Sequence, residues 1–96
     1  MKFRCVGKLN IAGKKWEVGY GNPGKGNDGI CDYDKQRITI APNRRVRGLA
    51  NVVAHEVIHA RLPDVSEESV ESTACLIEIA IDLLSESNGK AALAGG

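Results

Sequence analysis

Val53-Ala54-His55-Glu56-Val57-Ile58-His59-Ala60 is the stretch around which the rest of the chain is organised. Its apolar residues recur at three- and four-residue intervals, the period of a helix with a buried face. Residues four apart on a helix share one side, so His55 and His59 aim two imidazoles at one point. They are the chain's only histidines. Two imidazoles at this spacing with a glutamate directly after the first form the HExxH pattern, which matches a zinc site with an adjacent base.

The chemistry follows from the residue types. Zinc acidifies a bound water toward neutral pH, and Glu56 is placed to take its proton and hand it to a leaving amine, which amounts to amide hydrolysis. A blander reading keeps the helix and lets the histidines and Glu56 face water. Another keeps the metal and makes it purely structural, with Cys31 or a further glutamate as fourth ligand.

A catalytic zinc ordinarily has three protein ligands and an open position. No third histidine exists, which excludes HExxHxxGxxH and three-histidine arrangements. The third donor is therefore expected from Glu67, Glu68 or Glu71, at the acidic start of the next helix. Matching the rise of two antiparallel helices favours Glu71, with Glu67 next and Glu68 third. Either Glu67 or Glu71 can instead accept a hydrogen bond from a ligand histidine. The competing reading is a solvated polar stripe of Glu67, Glu71, Glu78 and Asp82.

Working outward, Asn43 is a suitable N-cap for a helix over residues 44–61, closed by Leu62-Pro63. Ser66 caps a second helix to Ser85 or Ser87, with Glu67 and Glu68 in its first turn against the macrodipole. Val70, Ala74, Ile77, Ile81 and Leu84 recur at helical spacing as its packed stripe. Ser87-Asn88-Gly89 is expected to end it, leaving residues 88–96 as a frayed tail.

Toward the N-terminus, Lys2-Phe3-Arg4-Cys5-Val6 and Trp16-Glu17-Val18-Gly19-Tyr20 flank a break at Ala12-Gly13-Lys14-Lys15 and read as a hairpin or two neighbouring strands. Residues 19–29 are rich in Gly and Asn and predict a long, mobile surface loop without a phosphate-binding pattern. Residues 29–41 predict a second hairpin whose last strand, Arg37-Ile38-Thr39-Ile40, leads to the motif helix. The expectation is one α+β domain over residues 1–96: a small antiparallel sheet of three or four strands, the HExxH helix and a second packed helix.

Composition narrows the function classes. Thirteen Lys and Arg against twelve Asp and Glu give no basic surplus for a phosphate backbone, so nucleic acid is not the expected partner. Only 4% of the residues are aromatic, so the core must be largely aliphatic. Cys5, Cys31 and Cys75 are odd in number and widely spaced, which fits reduced thiols at or near a core and a cytoplasmic location. No uninterrupted apolar stretch is long enough for a membrane span or a signal peptide. Trp16 is expected in the core, and Tyr20 and Tyr33 in packing or surface roles rather than as oxyanion donors.

Over residues 29–84, and most specifically in HEVIHARLPDVSEESVESTA, the sequence resembles minimal gluzincin metallopeptidases, particularly short phage and bacterial proteins of the ImmA/IrrE-like and SprT-like groups. The resemblance implies a minimal zincin-like fold that binds one zinc ion and cleaves an extended or unfolded protein segment; separately, a monomer or weak dimer is expected of so small a chain. It implies His55 and His59 as ligands, Glu56 as general base and Glu71 as third ligand. It also implies that Arg37, Ile38, Thr39 and Ile40 form a substrate-facing sheet edge. The Glu-Ala-Asn signature of ImmA-like proteins appears here as Glu71-Ser72-Thr73, and the third histidine of SprT-like proteins is absent.

Overall fold

The computed structural model describes residues 2–42 and 48–93, of which residues 87–93 are described by their backbone alone. Four strands precede two helices: β1 (Arg4–Ile11), β2 (Lys14–Tyr20), β3 (Gly29–Asp32), β4 (Arg37–Ile40), α1 (Leu49–Arg61) and α2 (Glu67–Leu93). The α+β expectation holds at this level.

Both expected hairpins form. Ala12 and Gly13 take positive φ of 51° and 84°, the two-residue turn whose twist matches an antiparallel pair, and Ile11 registers with Lys14. In the second hairpin the Lys35 amide donates to Asp32 Oδ1 at 3.0 Å, and Gln36 takes a φ of 52°.

The sheet is mixed rather than antiparallel, because β4 inserts between the hairpins in the order β1-β2-β4-β3. β4 runs parallel to β2, pairing Glu17 with Arg37 and Tyr20 with Ile40, and antiparallel to β3. An Arg37–Glu17 ion pair of 3.0 Å reinforces this register, and the guanidinium holds the Glu17 carboxyl below its usual range. Central placement suits β4, since Ile38, Thr39 and Ile40 are all buried and a strand covered on both faces needs a neighbour on each side.

This position corrects the expectation for Arg37–Ile40. A strand bonded to β2 and β3 has no free backbone edge, so β4 cannot take an added peptide strand. Among the described residues, the strands at the sheet's margins are β1 and β3.

The core unites Ile11, Trp16, Ile38, Ile40 and Val52, with Val53, Val57 and Ala60 of α1 packed against them. Trp16 is buried as expected. Cys5 and Cys75 are exposed and Cys31 is half-buried, so only Cys31 approaches the near-core role expected of all three.

α1 starts at Leu49 behind an extended Gly48, and the expected Asn43 cap lies outside the described residues. Ser66 does cap α2: its Oγ accepts from the Ser69 amide at 3.2 Å, and Val70 N donates to its carbonyl. α2 continues through Ser87-Asn88-Gly89 to Leu93 rather than stopping there, and residues 94–96 of the expected tail lie outside the described residues. Only Val70 and Ala74 of its expected stripe are buried, whereas Ile77, Ile81 and Leu84 are 37%, 44% and 65% exposed. No helix among the described residues is long and apolar enough to cross a membrane.

Candidate metal centre

α1 lies against β3 and β4 on one side and α2 on the other. The site opens at this three-way junction. His55 and Glu56 are adjacent in the chain and each about 8% exposed, held by a helix whose apolar residues face the sheet. His59 follows one turn later. The two Nε2 atoms are 3.1 Å apart.

Glu67 is the carboxylate that meets them. Its Oε1 lies 2.8 Å from His55 Nε2 and its Oε2 2.9 Å from His59 Nε2. Glu71, expected as third ligand, is not in this group; with Glu68 it lines a separate hollow beside Gly48, Asn51, Cys75 and Glu78. The connector explains the difference. Leu62 N donates to Ile58 O and Val65 N to Leu62 O, so the chain turns back beside α1 before α2 begins. The first turn of α2, and not its second, then stands level with the histidines.

Among the described residues, His55, His59 and Glu67 are the one group able to hold a metal ion. Their spacing fits one. Ligands about 2.0–2.2 Å from a tetrahedral zinc lie roughly 3.3 Å from each other, close to the 2.8–3.1 Å seen between these donors. The donor set, two imidazoles and one carboxylate, suits zinc better than the oxygen-only preference of calcium or magnesium.

Among the described residues, His55 Nδ1 is buried and meets no protein hydrogen-bond partner. Neither Glu67 nor Glu71 accepts a hydrogen bond from this nitrogen.

A cleft of about 340 Å³ adjoins the donors, lined by Gly26, Asn27, Asp28, Gly29, Val52, His55, Glu56 and Glu67. The glycine-rich segment expected as a mobile surface loop is thus the cleft's wall. Gly24 and Gly26 take φ of 105° and 83°, Gly24 N donates to Asn22 Oδ1, and Gly21 N and Ala41 N bond across to Ile40 and Asp28 carbonyls. Gly29 lets β3 and α1 approach closely here. A Cβ there would stand 2.8 Å from Val52 Cγ1 and 3.2 Å from Glu56 Cγ. A glycine opening a strand straight after a turn was the sequence signal for such an approach.

Tyr33 stands on the far side, its hydroxyl donating to the His59 carbonyl at 2.7 Å and its ring edge-on to Trp16. Burial raises its phenol above the usual range, helped by Cys31 and Glu56. Burial likewise pushes the Cys31 thiol up to about 11, with the Glu56 and Asp32 charges adding to it. Tyr20 sits on β2 with Arg4 stacked over its ring.

No protein-family model, curated protein or solved structure matches the chain.

Proposed function

We propose that this chain is a zinc-dependent peptidase of minimal zincin type, with His55, His59 and Glu67 as metal ligands and Glu56 as general base. The observation that carries the reading is the convergence of three donors beside an open cleft that Glu56 also lines. Zinc bound there supplies Lewis-acid chemistry, acidifying water and polarising an amide carbonyl. Glu56 accepts the proton of the attacking water and returns it to the departing amine. Its place one residue after His55 keeps it beside the reacting group without using it as a ligand.

Substrate is held as an extended segment along β3 rather than β4. β3 is a marginal strand, and its residues Gly29, Ile30 and Cys31 line the hollow shared with His55, Glu56, His59 and Glu67. Backbone pairing there lays a peptide across the cleft. The open cleft favours catalysis over a closed structural ion, which would have all four positions filled by protein.

The test pairs zinc content with hydrolysis of an unstructured protein by the wild type and by Glu56→Gln. Stoichiometric zinc in both, with cleavage by the wild type alone, is expected. Zinc in both with no cleavage by either would make the chain a zinc-bearing peptide-binding module, and absence of zinc would end the proposal.

A further inference from the structure

The last turn of α1 carries His59 but cannot complete its own hydrogen bonding. A helical carbonyl is closed by the amide four residues on. Four residues after His59 stands Pro63, which has no N–H to give. Leu62 N still donates to the Ile58 carbonyl at 2.8 Å, and there the backbone leaves the helix, with φ −130° and ψ 69° at Leu62. The His59 carbonyl is the next along the chain, and the helix itself has no donor for it. His55 is in a different position. It lies inside α1, and the amide that would close its carbonyl is that of His59.

Tyr33 supplies the missing donor from the sheet side. Its hydroxyl donates to the His59 carbonyl at 2.7 Å. Its ring meets Trp16 edge-on, with centroids 5.9 Å apart, and Trp16 is 4% exposed within the core. The hydroxyl is therefore held on a packed support rather than on a free side chain. Tyr33 also lines the hollow shared with His55, Glu56, His59 and Glu67, yet it is not one of the three converging donors.

We propose that Tyr33 is a positioning residue for the metal centre, its hydroxyl standing in for the absent Pro63 amide and holding the turn that carries His59 in reach of His55 and Glu67. The inference rests on the reading of His55, His59 and Glu67 as metal ligands. Without this bond the end of α1 frays in the metal-free protein, and an ion must order the turn as it binds. One ordinary hydrogen bond then separates the two affinities, which is about fivefold in the dissociation constant.

Cobalt(II), which accepts the same nitrogen and oxygen donors as zinc, is the probe, titrated into the full chain and followed by its visible absorption. Tyr33→Phe keeps the ring on Trp16 and removes only the hydroxyl. Gly13→Ala is the control for a weakened fold, because it strains the positive-φ turn of the first hairpin, where an added Cβ meets nothing within 4 Å. Tyr33→Phe is expected to bind cobalt about fivefold more weakly and with an altered visible band, while Gly13→Ala keeps the wild-type affinity and band. Wild-type affinity and band in Tyr33→Phe, or an equal loss in Gly13→Ala, overturns the proposal and leaves the metal centre standing. A wild type that binds no cobalt overturns the metal-centre reading itself.

Discussion

Glu67→Gln is the substitution that separates the observed site from the one the sequence favours. It keeps the shape of the side chain and removes the charge that lies 2.8 and 2.9 Å from the two imidazoles. Structural zinc in small domains is bound with about 10–16 kcal/mol over four ligands, so one ligand accounts for roughly 3–4 kcal/mol, or a 10²- to 10³-fold loss of affinity. The Glu67 side chain is 64% exposed, so the metal-free fold should be little affected. Zinc affinity is measured by competition with a chromogenic chelator, with far-ultraviolet circular dichroism as the check on folding. Glu71→Gln, in the separate hollow, should change affinity less than threefold. Strong loss in Glu71→Gln with near-normal binding in Glu67→Gln would refute the assignment of the third ligand and the account of the connector behind it.

Other consequences can be measured separately. Zinc held by His55, His59 and Glu67 should raise the melting temperature by mass action, and a chelator should reverse the rise; a melting temperature indifferent to zinc would contradict the site. Gly29→Ala should destabilise the fold by about 1–3 kcal/mol in a urea titration through overpacking against Val52, whereas an unchanged midpoint would show that β3 and α1 separate easily. Tyr33→Phe removes the hydrogen bond to the His59 carbonyl and should cost about 1 kcal/mol in the same titration. With its thiol pushed up to about 11, Cys31 is only about one part in a thousand thiolate at pH 8. Iodoacetamide should therefore label exposed Cys5 and Cys75 well before Cys31, as read by peptide mass mapping.

Much of the architecture was legible because it rests on local rules. The two hairpins follow from alternating strands on either side of turn-forming segments, and α2 begins where Ser66 caps it. His55, Glu56 and His59 could be placed on one helix side because helical spacing is a property of consecutive residues. Errors arose where distant segments meet. Strand order cannot be read from four short strands with similar alternation, so β4 looked like an edge until its burial on both faces put it at the centre. A residue-level rise calculation favoured Glu71, but the path of the connector settles which turn of α2 faces the histidines.

The sequence by itself determined the helix that carries His55, Glu56 and His59 and the acidic segment from which a third donor would come. Tertiary structure alone decided that Glu67 rather than Glu71 meets the two histidines, that the glycine-rich segment walls the cleft, and that α2 between Cys75 and Glu86 is largely uncovered. The reason is physical: capping and periodicity are set by residues within one or two turns of each other, whereas a three-donor site and a buried face depend on how separate elements pack.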